Sequence, residues 1–276
     1  MITRFIANGI VTGSLIAIMA MGFSLIYSTT SVFHIAHGAV YTAGAYAFYS
    51  FAITLNIPFV LSFLIAIVTV ILLGILIEWA VYAPLNKKNA SMGVVFISSL
   101  AVYILVVNLI ALFYGNETKV LSSSIERSFN IGNVILTKIQ IIQIIAFLFI
   151  LFITTLFFRK TRAGKTFQAM SNNPLLLTVL GTNMNKMRIF VFAIGSVLAG
   201  IASILTAIDV GIDPHIGMPV VLNAAIAMII GGVQRLEGAG SGGLCYRYPP
   251  EHAHLAVLGK VGGSRDLFTA DNISII

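Results

Sequence analysis

Between Arg4 and Glu78 the chain carries no Asp, Glu, Lys or Arg, and its apolar residues run on without sustained alternation of polar and apolar positions. A helix rises about 1.5 Å per residue, and a hydrocarbon core about 30 Å thick takes roughly 20 apolar residues to cross. The stretch therefore holds about three crossings, divided near 5–27, 33–55 and 57–82, with Asn56-Ile57-Pro58 as the clearest break. Further charge-poor runs cover 91–114, 139–158, 189–208 and 214–234. Continuous runs without a two-residue period indicate helices rather than outer-membrane strands. The expected fold is all-α: a polytopic helical membrane protein of about seven hydrophobic segments plus a long cytoplasmic loop, with residues 1–243 as one transmembrane domain.

Composition agrees. Hydrophobic residues make up 58% of the chain and charged residues 9%, against about 25% charged in ordinary soluble domains, and the mean hydropathy is +1.01. The first apolar run is too long for the 7–15-residue core of a signal peptide, so no cleaved leader is expected. The single Cys245 excludes an internal disulfide and a cysteine-based metal cluster. A net charge of +7 would suit nucleic acid, but the cations sit sparsely in loops, as membrane topology requires. Nucleic acid is not an expected partner; membrane lipid is.

The loops orient the chain. Residues 159–188 contain Arg159, Lys160, Arg162, Lys165, Lys186 and Arg188 without an acid, and Lys87 and Lys88 form a second basic spot. Loop 114–138 mixes Glu117, Lys119, Glu126, Arg127 and Lys138. The positive-inside rule places 83–90 and 159–188 in the cytoplasm and 114–138 outside. Segment 57–82 then enters from outside. Either the N-terminus is external, or one of 5–27 and 33–55 is re-entrant.

The loop 159–188 carries structure of its own. Asn173-Pro174 is a good N-cap and first-turn pair. Leu176, Leu177, Val179 and Leu180 give an apolar face, and Gly181 is a C-terminal stop. A helix around Ala163–Met170 presents Phe167 and Met170 beside Lys165. Two short helices outside the bilayer, basic on one side and apolar on the other, suit either an interfacial element on anionic lipid or a helix docked in a groove of a cytoplasmic partner.

The stretch RAGKTFQAMSNNPLLLTVLGTN resembles the coupling loop of permease subunits from bacterial ABC importers of branched-chain amino acids. Further stretches resemble the same family in order: FHIAHGAVYTAGAY its N-F-A-H-G…G-A-Y signature, Glu78 with Tyr82-Ala83-Pro84-Leu85 its E…Y-R-P-L segment, FAIGSVLAGIASIL its small-residue helix, and Pro214 to Gly217 with Ile230-Gly231-Gly232-Val233 its P…G…G-G-x-G region. Ala83 departs from the usual Arg, and Gln234-Arg235 from the usual Gly-Ser. The resemblance implies a non-enzymatic permease in a bacterial cytoplasmic (inner) membrane, carrying leucine, isoleucine, valine or a similar amino acid. Its partners would be a second permease subunit, two cytoplasmic ATPases and an extracytoplasmic solute-binding protein. The coupling residues would be Arg162, Ala163, Gly164, Lys165, Asn173, Pro174, Leu177, Leu180 and Gly181. The chain has no G-x-x-x-x-G-K-[ST] loop, so ATP and magnesium would be held by the partners and no cofactor by this chain. Related permeases serve urea or short amides. A secondary transporter or channel acting alone is the rival from another class.

Other residues are weighed singly. His34 and His37 are the ionisable side chains of the early stretch; polar groups at that depth face a bundle interior or a cavity. They are expected to hydrogen-bond a bend, with His37 and Gly38 also candidates for a translocation path or gate. Two histidines without carboxylates make a poor metal site. Gly9 and Gly13, and Ser196 and Gly200, have the small-x-x-x-small spacing of close helix packing. Asn8 is a further candidate for a polar path. Asp209 and Asp213 read as an external loop rather than a proton relay. Glu78, about one turn from the cytoplasmic end, is expected to snorkel or to pair with Lys87 or Lys88.

After Gly243 the character changes. Residues 244–276 bring Arg247, Glu251, Lys260, Arg265, Asp266, Asp271 and Pro249-Pro250, and no spanning segment. Two readings stand, a polar tail produced by a frameshift in place of final membrane helices and a natural soluble tail, and sequencing across codons 233–276 separates them.

Overall fold

The computed structural model describes residues 2–121, 128–131, 134–172, 177, 179, 181–232 and 240; the tail 244–276 lies outside them. The described chain is a bundle of α-helices. Helix α1 spans Ile2–Thr30, α2 His37–Tyr49 and α3 Phe59–Ile77. Two single π-helical turns follow α2 and α3, Ser50–Thr54 and Glu78–Tyr82, and the second runs on into α4, Ala83–Lys87. Then come α5 (Met92–Tyr114), α6 (Lys138–Lys160), α7 (Arg162–Asn172), α8 (Met184–Val210) and α9 (Gly217–Gly231).

Among the described residues, five helices are long and apolar enough to cross a membrane, and α2 with 13 residues and α9 with 15 are shorter. Burial separates inside from outside. The apolar spans of α1 and α8 are 83% and 61% buried, whereas those of α3 with its extension, α5 and α6 are 28%, 17% and 17% buried. Helices α1 and α8 therefore form the packed centre, and α3, α5 and α6 turn leucine, isoleucine and phenylalanine outward to lipid. Small residues let α8 approach its neighbours closely: Gly195 meets Gly22 of α1, Ser196 and Gly200 meet Gly74 and Val70 of α3, and Ser203 meets Gly44 of α2, and in lipid such faces gain by close van der Waals approach.

Helix ends follow the sequence. Ser91 begins α5, its side chain accepting from the Val94 amide. Thr137 and Gln140 form a reciprocal capping box at α6, with N–O distances of 3.3 and 3.2 Å, satisfying two otherwise orphaned donors. The Lys186 amide donates to Asn183 Oδ1 at 3.2 Å at the start of α8.

The outer loop holds more order than the sequence suggested. Strands β1 (Ser128–Ile131) and β2 (Val134–Thr137) pair antiparallel, Ser128 opposite Thr137. Lys119 and Ile212 exchange two backbone hydrogen bonds of 2.8 and 2.9 Å, tying this loop to the turn between α8 and α9. Asp213 belongs to that turn, where its Oδ1 accepts from the His215 amide at 2.8 Å.

With the basic loops taken as cytoplasmic, the N-terminal half has one direction through the membrane. The end of α1 (Thr30, Ser31) shares a cavity with Asn86, Asn89 and Arg188, the end that the basic loops mark as cytoplasmic. Helix α1 thus runs inward and Arg4 lies at the outer end. The chain then folds back through 31–36. The Ala36 amide donates to Ser99 Oγ, 3.0 Å away in the second turn of α5, while Ser50 and Tyr114 pair at the outer end. Helix α2 starts inside the bundle, which is why it is short.

Candidate functional site

Three regions carry the chemistry, and α8 joins them. The first is the cytoplasmic segment. Thr161 Oγ1 accepts from the Gly164 amide at 3.0 Å and starts α7. Gly164 sits against the Phe157 carbonyl and Phe158, where a Cβ would collide, so α7 folds tightly back on α6. Its apolar face, Gly164, Phe167 and Met170, is buried. Phe167 stacks on Phe190 of α8 at 5.6 Å and 18° and contacts Phe157 and Phe158. The expectation that Phe167 and Met170 offer a face to a partner is thereby corrected: this chain's own aromatics occupy that face. The outward face consists of Arg162, Lys165, Gln168 and Asn172, all exposed, with Ala163 half-buried between the faces. Leu177 is buried, and its carbonyl accepts from the Thr182 amide at 3.0 Å. Gly181, at φ 80°, takes the left-handed conformation of a helix stop. Asn173, Pro174 and Leu180 lie outside the described residues.

The second region is a buried ion pair. Arg188, in the second turn of α8, donates from Nε to Glu78 Oε1 at 2.6 Å and from Nη2 to Oε2 at 3.3 Å. The residues are 2% (Glu78) and 7% (Arg188) exposed. Glu78 thus pairs with Arg188, not with Lys87 or Lys88. A carboxylate and a guanidinium matched in a planar fork satisfy each other better than a lysine on a mobile stem. Beside the pair opens a cavity of about 150 Å³, lined on its polar side by Thr30, Ser31, Tyr82, Asn86, Asn89 and Arg188. Two of these residues, Ser31 (φ 55°) and Asn89 (φ 49°), hold left-handed backbone. The signal in the sequence was Glu78 itself, the first acid of the chain, at the end of an apolar run.

The third region is the break between α1 and α2. His34 and His37 are fully buried. His34 Nδ1 lies 2.8 Å from Tyr82 Oη, and its ring packs on Phe192 at 5.0 Å. Of the two histidines expected to hydrogen-bond the bend, His34 does so and, among the described residues, His37 does not. Neither ring nitrogen of His37 has a hydrogen-bond partner among the described residues, and among these residues no cluster of three or more metal-ligating side chains occurs. Gly38 meets Gly217 backbone to backbone, which brings the first turns of the two short helices α2 and α9 together.

The remaining candidates lie apart. Ser196 packs at Gly74 of α3, and Gly200 against Val70. Gly13 is buried and Gly9 half-buried on α1. Asn8 is exposed near the outer end of α1, and His37 and Gly38 lie at the break between α1 and α2.

Comparison with known proteins adds the following. Residues 5–251 match the family described as branched-chain amino acid transport system, permease component. The high-affinity branched-chain amino acid transport system permease protein BraD of Pseudomonas aeruginosa is 28% identical over 87% of this chain and 82% of its own. LivH of Escherichia coli, of the same description, is 28% identical over 86% of this chain and 81% of its own. The probable branched-chain amino acid transport permease protein LivH of Methanocaldococcus jannaschii is 27% identical over 86% and 76%.

Proposed function

The chain belongs to the branched-chain amino acid transport system permease family, and we propose that it is the membrane-spanning subunit of an ATP-driven importer of leucine, isoleucine, valine or a closely similar amino acid in a bacterial inner membrane. A second permease completes the pathway, two cytoplasmic ATPases supply the work with ATP and magnesium, and an extracytoplasmic binding protein delivers the solute.

The observation that carries this reading beyond family membership is α7. It is a short helix on the cytoplasmic side whose apolar face is locked into the bundle through Phe167. Its charged face, Arg162 and Lys165, stays outside. A helix held from behind and charged in front transmits displacement of a docked partner to the membrane helices. An amphipathic helix that served only to lie on lipid would turn its apolar face to the bilayer.

Affinity purification of the full chain from membranes, with mass spectrometry of what accompanies it, tests the proposal. A second permease and an ATPase are expected, and the ATPase should be lost when residues 163–181 are deleted with membrane insertion preserved. A chain that inserts and purifies alone, yet carries solute down a proton gradient, contradicts it.

A further inference from the structure

A continuous line of specific contacts runs from the cytoplasmic segment to the centre of the bundle. It begins at Phe167 of α7, stacked on Phe190 of α8. Two residues before Phe190, Arg188 grips Glu78, the first residue of the π-helical turn Glu78–Tyr82. The last residue of that turn, Tyr82, pairs with His34. Phe192, one turn beyond Arg188 on the same face of α8, packs on both Tyr82 and His34, with ring centroids 5.4 and 5.0 Å away. Four residues beyond His34, Gly38 rests on Gly217.

Three features make this more than packing. A buried ion pair is a poor means to stability, since apolar residues of like volume commonly do as well or better, but it fixes geometry tightly through its fork of hydrogen bonds. A single π-helical turn is a rare distortion that recurs at functional positions, and here both its ends are held by polar partners. The line also ends at two short helices whose first turns meet backbone to backbone at Gly38 and Gly217, a contact that a small shift would open.

We infer that Arg188, Glu78, Tyr82 and His34 form a positioning linkage that sets the α2–α9 crossing according to the position of α7. The inference rests on the importer reading and names the internal route by which partner movement reaches the centre. Displacement of α7 carries the start of α8 with it. Through Arg188 this shifts the π turn, and through Tyr82 and His34 it shifts the start of α2 against Gly217. None of the four residues needs to touch solute.

The experiment uses the complete complex in liposomes and reads solute carried per ATP hydrolysed. Replacing the pair together, Glu78→Leu with Arg188→Met, leaves no unpaired charge. This variant should assemble with its partners and hydrolyse ATP, while the transport ratio falls on the order of tenfold, the scale of ordinary coupling free energies. Tyr82→Phe, which removes one hydroxyl and keeps the ring, should lower the ratio in the same direction. A neutral-pair variant that assembles and keeps the wild-type ratio overturns the linkage. Should that variant fail to assemble, Tyr82→Phe decides, and a wild-type ratio there overturns it. A wild-type complex without ATP-linked transport refutes the importer reading instead, and the linkage falls with it.

Discussion

Gly38 and Gly217 stand with backbone against backbone, so that a Cβ on Gly38 would come within 2.7 Å of the Gly217 carbonyl oxygen and one on Gly217 would land on the Gly38 carbonyl. No side chain separates the beginnings of α2 and α9. The approach is possible only for glycine at both positions, and in lipid such contact is the chief means of joining helices.

Gly217→Ala should therefore force the two helices apart and cost about 1–3 kcal/mol or more, as overpacking does. Thermal unfolding of the detergent-solubilised chain, followed by size-exclusion chromatography, checks this. Val221→Ala, one turn further along at a buried position, serves as a comparison in which a cavity rather than a collision is made.

A second close approach admits compensation. A Cβ on Gly74 would run into the side chain of Ser196, so Gly74→Ala should destabilise by about 1–3 kcal/mol. Adding Ser196→Gly should recover part of the loss, giving a non-zero interaction energy in a double-mutant cycle.

The segments themselves were legible in the sequence. A run from Arg4 to Glu78 without charge leaves little choice of solvent, and the basic loops mark a cytoplasmic side from residue 83 onward, while the direction of the first two segments stayed open. What periodicity does not encode is depth. Helices α2 and α9 have the composition of their neighbours, and only the Ala36–Ser99 and Gly38–Gly217 contacts reveal that both begin within the bundle. The partner of Glu78 was missed for a related reason. Lys87 and Lys88 are near in sequence, whereas Arg188 is 110 positions away and becomes a neighbour only because α8 packs along α3. The amphipathic character of α7 was visible, but not which surface its apolar face would cover. Phe157, Phe158 and Phe190 take that place.

Removing one member of the ion pair should be worse than removing both. Arg188→Met leaves the Glu78 carboxylate buried alone, at a cost of about 3–5 kcal/mol, while the neutral pair is expected near wild-type stability. Yield and thermal midpoint of the three proteins in one detergent order them directly.

The two faces of α7 should separate experimentally. Phe167→Ala empties a fully buried site and should loosen the segment by about 3–5 kcal/mol, read as faster proteolysis near residues 162–172. Lys165→Glu alters the exposed face and should leave stability within about 0.5 kcal/mol, while lowering the amount of ATPase recovered with the chain, most strongly at low salt where the reversed charge is least screened.

Sidedness has its own measurement. In a Cys245→Ser background, cysteines at Thr3 and Asn116 should react with a membrane-impermeant maleimide from outside intact cells. A cysteine at Gln168 should react only after the membrane is opened. Protection of the Thr3 cysteine in intact cells would reverse the direction assigned to α1.

The most direct test of the account is ATP-driven uptake of radiolabelled leucine, isoleucine and valine by the purified complex in liposomes, with the solute-binding protein outside and ATP inside. Accumulation of at least one of the three that requires ATP, and that disappears when residues 163–181 of this chain are deleted, is the predicted result. Equal uptake without ATP, or by this chain alone, would contradict the claim that it serves as the membrane subunit of an ATP-driven importer.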